Sequence, residues 1–354
     1  MIYFIGFIVS LAIAALFVPL VKRFAFAVGA VDEPSKKARK IHTKTMARGG
    51  GIAIFLSFFI VNFALVGFRW WQFWGLMVAA TIVMLLGLFD DIKRLPASTK
   101  LIVQIIAALV AIFIFGIQIE GISNPLSQGV LVLNPNISFH LFNLSVHISL
   151  FAVFLTTLWL VGMTNTMNFV DGIDGLSGGV AAIAAFVMFI LAIGPKVAQP
   201  ETALVSIVLA GGCVGYLIYN FHPAKIFNGD SGAYFLGMTL AILAIFSGAK
   251  LATATLVLGV PIIDSIWAAL RRILAGRSPF SADRGHLHHL LLDVGLSQRQ
   301  AALLIYALCA IFGGIALIAS PTQKLVAIFA LVVLIMLLFL LLSLIRRRQT
   351  QKTS

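Results

Sequence analysis

Carboxylate side chains mark the ends of several long apolar stretches of this chain. Asp90 and Asp91 stand side by side at the end of one stretch, and Asp230 lies between two glycines just before another. Adjacent carboxylates repel each other unless a cation or basic groups compensate them, so the pair is a candidate for contact with Mg²⁺. A charged helix terminus explains the pair equally well. Asp230 taken alone is more typical of a helix cap than of a metal ligand.

A third polar segment carries oxygen ligands at regular spacing. Asn168, Asp171 and Asp174 recur every three residues, so on one helical turn they would lie on roughly one face. Such hard oxygen donors suit Mg²⁺, which also keeps waters and takes phosphate oxygens from a substrate. Capping of the following helix is the alternative interpretation, but one residue would serve for a cap. The spacing therefore favours a metal or phosphate site.

Three of the seven histidines fall within four residues, at His286, His288 and His289, and Arg284 precedes them. A zinc site is conceivable, but no cysteine is near and ligands of the Mg²⁺ type dominate elsewhere. Arg and His side chains also stabilise charge on phosphate oxygens, so binding of a diphosphate is the better interpretation. A solvated polar loop is the remaining alternative.

The elements that must position these residues are membrane helices. Of 354 residues, 61% are apolar and only 10% are charged, which leaves too few polar residues to cover a soluble domain. A helix that spans a bilayer needs about 20 mostly apolar residues. Eleven stretches of this kind lie near residues 2–21, 49–68, 72–89, 101–118, 148–163, 176–193, 203–219, 232–248, 251–270, 301–319 and 325–345. The predicted fold is all-α, a polytopic membrane protein with a single domain over residues 1–354.

The basic residues divide unequally between the two sides that eleven spans would define. One side receives 21 Lys and Arg residues and the other receives 4, so the first side is predicted to be cytoplasmic, with the N-terminus outside. The net charge of +13 is then a topological signal and does not indicate binding of nucleic acid. Ten of the twelve carboxylates lie on or near the basic side, which predicts a reaction site at the cytoplasmic mouth. Outside, residues 129–139 read as a short β-hairpin or an interfacial segment.

Two further regions carry candidate residues. Asp264 lies within the predicted span 251–270, where an ionisable group is costly and usually functional. A structural pairing with a neighbouring helix is the equal alternative. The densely basic segment around His42 suits contact with anionic lipids and attraction of a phosphorylated substrate. Lys93, next to Arg94, is typical of an interfacial anchor.

In this order along the chain, the motifs resemble those of the polyprenyl-phosphate N-acetylhexosamine-1-phosphate transferases. The resemblance rests on Asp90-Asp91, on Asn168-Phe-x-Asp171-Gly-x-Asp174-Gly-Leu, on Pro223-Ala-Lys-x-Phe-x-Gly229-Asp230-x-Gly232 and on His286-x-His288-His289. It covers residues 32–300. Each motif alone is weak, whereas their combination is specific.

The resemblance implies transfer of a sugar 1-phosphate, preferably GlcNAc 1-phosphate, from a UDP-sugar to undecaprenyl phosphate, with release of UMP. It implies Mg²⁺ as the cofactor, with Mn²⁺ as an alternative, and a location in the bacterial cytoplasmic membrane. Such a transfer initiates teichoic acid, lipopolysaccharide or related envelope polymers. The expected partners are the two substrates and the lipid bilayer, with no nucleic acid, and a homodimer is left open.

Matched motif by motif, the resemblance makes Asp230 the main Mg²⁺ ligand. It gives Asn168, Asp171 and Asp174 to the metal or the nucleotide, and Asp90 to assistance of the lipid phosphate, with Asp91 in support. The other candidates for substrate binding are His42, Lys93, Lys225, Asp264, Arg284, His286, His288 and His289.

The chain departs from the family pattern in its first loop. Thr45 and Ala47 stand at two positions where relatives usually carry proline, which predicts a looser loop, and Asn228 stands where Met is common. Two alternative functions are open at this point. One is the pentapeptide transferase of peptidoglycan synthesis, a relative with a larger substrate headgroup. The other is a transporter, but transporters place their binding groups near the bilayer midplane, and here only Asp264 lies inside a span.

Overall fold

The computed structural model describes residues 1–34, 44–67, 70–124, 130–133, 137–141, 144–195, 197–248, 251–278 and 285–353. Thirteen helices lie in these ranges: α1 (Ile2–Val28), α2 (Gly51–Leu65), α3 (Trp71–Lys93), α4 (Ala97–Phe115), α5 (Leu150–Val170), α6 (Leu176–Ile193), α7 (Pro200–Asn220), α8 (Gly229–Phe246), α9 (Leu251–Val257), α10 (Gly259–Leu274), α11 (Leu287–Asp293), α12 (Gln298–Ile318) and α13 (Pro321–Thr353). The prediction of a polytopic helical protein is confirmed.

Nine of the helices in the described ranges are long and apolar enough to cross a membrane. They are α1, α3, α4, α5, α6, α7, α8, α12 and the part of α13 up to Arg346. Every one of the eleven predicted stretches has a helical counterpart. Two counterparts differ from a full straight span: α2 has only 15 residues, and the stretch 251–270 is divided between α9 and α10.

The stretch 251–270, predicted as one span, is divided at Leu258 into α9 and α10, which are bent by 80° relative to each other. The break has a local cause in Pro261. A proline has no N–H to donate, and its ring clashes with the carbonyl group four residues earlier, which here belongs to Val257. Asp264 therefore lies on α10, beyond the bend, and it is almost completely buried.

The helix α8 forms the centre of the protein. All residues from Ser231 to Ile245 are buried, and the helix packs against α2, α3 and α5. A helix that is apolar all round belongs inside a bundle, whereas outer helices such as α1 expose apolar side chains, including Phe4 and Leu16, as lipid-facing helices do. Asp230, the candidate metal ligand, lies in the first turn of this enclosed helix.

Close contacts between backbones fix where α8 begins. A Cβ atom at Gly51 would lie 2.0 Å from the Cα atom of Gly232, and one at Gly87 would lie 2.4 Å from the carbonyl carbon of Asp230. Since no side chain fits at either position, the start of α2 and the last turns of α3 contact the first turn of α8 directly. These contacts bring the motifs of three separate segments together.

Six short strands complete the described structure. Strands β1 (Val31–Asp32) and β2 (Met46–Ala47) form one antiparallel pair. Two further pairs lie between α4 and α5: β3 (Gly121–Ser123) with β4 (Val130–Val132), and β5 (Ile137–Leu141) with β6 (Leu144–Ile148). The hairpin interpretation of residues 129–139 is wrong in its pairing, because β4 and β5 belong to two different hairpins.

Candidate functional site

Asp91 caps the N-terminus of α8 from the last turn of α3. Its side chain accepts hydrogen bonds from the backbone N–H groups of Asp230 and Ser231, at 3.0 and 3.2 Å, and from the Ser231 hydroxyl at 3.0 Å. A carboxylate at a helix N-terminus satisfies free N–H groups and interacts favourably with the helix dipole. Asp91 is therefore a support that fixes the position of Asp230, and the support of Asp90 that the family motif implies stays a prediction.

Asp90 and Asp230 share one ammonium group, that of Lys100 in the first turn of α4. Lys100 Nζ lies 3.0 Å from Asp90 Oδ2 and 3.6 Å from Asp230 Oδ2. The other oxygen of Asp90 accepts from the backbone N–H of Leu95 at 2.6 Å. The short connection between α3 and α4 thus folds a cation back over Asp90 and Asp230 and compensates the repulsion between these two carboxylates.

A cavity of about 480 Å³, with both polar and apolar lining, adjoins this cluster, and its volume is typical of small-molecule sites. Four segments line it: the region of β1 and β2, the turn after α5, the connection from α7 to α8, and the start of α12. The lining residues include Asp32, Lys44, Arg48, Asp171, Asp174, Asn220, His222, Asn228, Gly229 and Gln298. Asp230 directly follows the lining residue Gly229.

Arg48 is one of the two cations of the cavity wall, with Lys44. Its Nη1 atom lies 3.5 Å from Asp91 Oδ1. Burial lowers the pKa of Arg48, but Asp91, Asp230 and further carboxylates outweigh that effect and hold the pKa above its usual value. Arg48 is therefore a permanent positive charge between the carboxylate cluster and the cavity, which suits binding of a phosphate.

The structure around β2 tests the looser loop that was predicted from Thr45 and Ala47, the residues at the two usual proline positions. Ala47 is fully buried, and its carbonyl accepts from the backbone N–H of Phe227 at 2.9 Å, while β2 pairs with β1. The strand is held on both sides, which disfavours a loosened loop at Ala47. His42 lies outside the described residues.

Asp171 lines the cavity, and a chain of hydrogen bonds holds its side chain. The Asn228 side-chain N–H donates to Ser177 Oγ at 3.1 Å, and the Ser177 hydroxyl donates to Asp171 Oδ1. Burial raises the pKa of Asp171 to about 6, although the Ser177 hydrogen bond and Arg48 act in the opposite direction. Asn228, one of the departures from the family pattern, thus serves to orient an acidic side chain.

Asp174 is bound to a different partner. Its Oδ2 atom lies 2.7 Å from His222 Nδ1 and accepts from the backbone N–H of Ala224 at 3.1 Å. The expectation that Asn168, Asp171 and Asp174 share one helical turn is wrong, because α5 ends at Val170. The two aspartates lie in the following turn and line the cavity, whereas Asn168 lies half-buried in the last turn of α5.

The histidines belong to a buried layer beside the cavity. His286 lies between Asp264 and Arg272, with Nδ1 2.9 Å from Asp264 Oδ2 and Nε2 3.1 Å from Arg272 Nη2. Asp264 Oδ1 also accepts from the backbone N–H of Leu287 at 2.8 Å. The carboxylate of Asp264 thus pairs with a neighbouring helix, one of the two roles expected from sequence, and anchors α11 to α10.

His288 packs directly against the turn that carries Asp171 and Asp174. A Cβ atom at Gly172 would lie 2.1 Å from His288 Nε2, so the glycine leaves the space that the ring needs. Burial lowers the pKa of His288 well below its usual value, and the neighbouring His289 and His286 act in the same direction. His288 is therefore neutral, while His289 is half-buried beside it.

The remaining candidates lie apart from the cavity lining. Lys225 is exposed, with its Nζ atom 5.7 Å from the centre of the Tyr219 ring, and Lys93 is exposed at the end of α3. Arg284 lies outside the described residues. Conversely, sequence reasoning gave no role to Lys100, Arg48 or His222, which the fold brings to the site.

Comparisons with known proteins place this chain in a family. The model of glycosyl transferase family 4 matches residues 73–248. A probable undecaprenyl-phosphate N-acetylglucosaminyl 1-phosphate transferase of Bacillus subtilis is 34% identical over 338 residues, which cover 93% of this chain and 88% of the relative. Two further relatives are more distant. One is a decaprenyl-phosphate N-acetylglucosaminephosphotransferase of Mycobacterium tuberculosis, which is 33% identical, with 81% of this chain and 74% of the relative covered. The other is an undecaprenyl-phosphate alpha-N-acetylglucosaminyl 1-phosphate transferase of Salmonella typhimurium, which is 26% identical, with 85% of this chain and 79% of the relative covered.

The matched region contains the end of α3, the turn after α5 and the start of α8, which together carry the carboxylates of the site. The match to the Bacillus subtilis relative extends over nearly the whole length of both chains. The chain therefore belongs to the polyprenyl-phosphate N-acetylhexosamine-1-phosphate transferases, within glycosyl transferase family 4.

Proposed function

We propose that the protein transfers GlcNAc 1-phosphate from UDP-GlcNAc to undecaprenyl phosphate and releases UMP. The observation that carries the proposal is the convergence of Asp90, Asp230 and Lys100 beside a cavity of about 480 Å³. The names of the relatives identify them as transferases of N-acetylglucosamine 1-phosphate to a polyprenyl phosphate. The cations and carboxylates of this site suit two anionic reactants, and the cavity volume is typical of small-molecule sites.

The transfer exchanges one phosphorus–oxygen bond for another. An oxygen of the lipid phosphate attacks the β-phosphorus of UDP-GlcNAc, and the bond from that phosphorus to the oxygen shared with the α-phosphate breaks. UMP leaves with the electron pair of that bond. Because both reactants are anions, catalysis consists mainly of charge neutralisation and in-line positioning.

The residues of the cavity wall and those of the adjoining carboxylate cluster divide between the two reactants in this proposal. Arg48, Asp171 and Asp174 face the cavity and serve the nucleotide sugar. Asp90 and Lys100 serve the lipid phosphate, because Phe89 and Ile102, close to them in sequence, are more than half exposed apolar side chains that suit contact with lipid. Lys100 neutralises the approaching phosphate, and Asp90 holds the ammonium group in place.

The donor set fits Mg²⁺ or Mn²⁺ as the cofactor. No three His, Cys, Asp or Glu residues in the described ranges form a group that could hold a metal ion alone. Mg²⁺ is usually bound by one or two carboxylates together with waters and substrate phosphates, so the carboxylate of Asp230 is sufficient. The bound ion would neutralise charge on the diphosphate. Asp91 is less suited as a ligand, because its oxygens accept the N–H groups of α8.

We further propose eleven membrane spans, with the N-terminus outside and the site on the cytoplasmic face of the bacterial plasma membrane. The division of basic residues, 21 against 4, supports this orientation. The chemistry supports it as well, because a nucleotide sugar is cytosolic and a polyprenyl phosphate is held at the bilayer surface.

Purified protein in detergent tests the proposed function directly. With undecaprenyl phosphate and Mg²⁺, we expect release of UMP from UDP-GlcNAc in preference to UDP-GalNAc and to UDP-MurNAc-pentapeptide. Excess EDTA is expected to stop the release and added Mg²⁺ to restore it. Release that persists in EDTA would contradict the metal assignment, and preference for the pentapeptide donor would assign the chain to the peptidoglycan enzyme.

A further inference from the structure

The first turn of α12 contacts two loops of the cavity wall at once. The backbone N–H of Asp174, in the turn after α5, donates to Gln298 Oε1 at 3.1 Å. The Nε–H group of Arg299 donates to the backbone carbonyl of His222, in the connection after α7, at 2.9 Å. Neighbouring residues of one helix thus each hold one of the two loops.

A third side chain of α12, that of Tyr306, contacts the turn after α5. The Tyr306 hydroxyl donates to the backbone carbonyl of Gly175, next to Asp174. The ring of Tyr306 occupies the space over Gly179, where an added Cβ atom would lie 2.0 Å from it. The backbone N–H of Gly175 in turn donates to Asn220 Oδ1 at 3.0 Å, so the loop is tied to α7 as well.

The two loops meet in the Asp174–His222 pair, which is partly open to the cavity. The pair is joined by a contact of 2.7 Å, and the exposed fractions of the two side chains are 14% for Asp174 and 36% for His222. Neither side chain lies on a regular helix, so its position depends on what holds the loops. α12 is a firm support, because its Ala301, Ala302 and Ile305 side chains are buried in the core.

We propose that Gln298, Arg299 and Tyr306 are positioning residues, which hold the Asp174–His222 pair in the cavity wall for binding of the nucleotide sugar. This inference rests on the proposed function. It extends the site to a helix that carries none of the acidic or histidine motifs. Gln298 itself lines the same cavity as Asp174 and His222.

Three variants of the full-length protein test the proposal: Gln298→Met, which removes the acceptor at similar size, Tyr306→Phe and Arg299→Ala. We expect KM for UDP-GlcNAc to rise about tenfold in the first two, equivalent to about 1.4 kcal/mol, while kcat changes much less. Arg299 is exposed, so its removal is expected to raise KM only about threefold, and Arg299→Lys should restore it.

Hydrogen–deuterium exchange supplies a second readout that does not depend on turnover. Peptides covering residues 171–176 and 221–226 are expected to exchange faster in the three variants than in the wild type. Two matched controls are available. Tyr216→Phe removes a buried hydroxyl that has no hydrogen-bond partner among the described residues, and Arg277→Ala removes an exposed guanidinium. Both should leave KM and the two exchange rates at wild-type values.

The outcomes separate this proposal from the proposed function. If the wild type releases UMP but the three variants keep its KM, the positioning role is overturned and the transferase proposal stands. Faster exchange without a change in KM would show a purely structural contact and overturn it too. If the wild type releases no UMP, the proposed function fails. If hydrogen–deuterium exchange is also unchanged in the three variants, the inference that α12 holds the two loops is overturned as well.

Discussion

Replacing Asp230 by Asn is expected to lower the rate of UMP release by about 1,000-fold, which is ~4 kcal/mol of transition-state stabilisation. The substitution keeps the size of the side chain but removes the charge that is proposed to hold the metal. The backbone N–H of residue 230 remains, so the cap by Asp91 is preserved and the protein should fold. The loss is expected in kcat, measured with saturating UDP-GlcNAc, and the Mg²⁺ concentration for half-maximal activity should rise.

The matched control for this variant is Glu201→Gln. It makes the same change of charge in the first turn of α7, outside the lining of the candidate cavity. Its activity and its thermal unfolding should match those of the wild type. An Asp230→Asn protein that unfolds at the wild-type temperature and retains more than about a tenth of the activity would contradict the role of Asp230 as principal ligand, since a tenfold effect is only about 1.4 kcal/mol.

Replacing Lys100 by Met is expected to lower kcat by about 100-fold, a loss in the range known for removal of one electrostatic contact to a transition state. Without its ammonium group, Asp90 and Asp230 lose their common partner, and the two anionic substrates meet uncompensated carboxylates. Lys100→Arg keeps the charge but not the compact shape of the ammonium group, so only part of the activity should return.

Lys93→Met is the comparison variant for Lys100→Met. It tests whether the lysine nearest to the acidic motif in sequence or the lysine that contacts the carboxylates in the structure is the central cation. Lys93 is the lysine next to the Asp90-Asp91 motif, but it is exposed, whereas Lys100 lies within reach of two carboxylates. We expect the loss of activity in Lys93→Met to be much smaller than in Lys100→Met. Equal losses, or a larger loss at Lys93, would contradict the assignment of the central cation. The measurement is UMP release by both variants at matched protein concentrations.

The positions of the helices and the acidic motifs could be predicted from sequence, because both are local properties. Each predicted apolar stretch except 251–270 became one helix, and Asp90, Asp171 and Asp230 stand where such helices end or begin. The family could be predicted too, since the order of the motifs is specific. The bend before Asp264 was missed, although Gly259 and Pro261 provide a local signal for it.

The partners of these residues could not be predicted, because they depend on how distant segments pack. Lys100 reads only as a topological charge until the turn between α3 and α4 folds it over Asp90. Asp174 and His222 are 48 residues apart in sequence, and Gln298 is 124 residues from Asp174. Similarly, the assignment of Asp91 as a cap requires knowledge that α8 begins beside α3.

The fate of the β-phosphate tests the central claim, transfer of a sugar 1-phosphate, most directly. With UDP-GlcNAc labelled with ³²P in the β-phosphate, undecaprenyl phosphate and Mg²⁺, the wild-type protein should move the label into the lipid fraction, with one UMP released for each labelled lipid. The Asp230→Asn protein should leave the label in the water-soluble donor. Label recovered in UDP, with only the sugar transferred to lipid, would contradict the account.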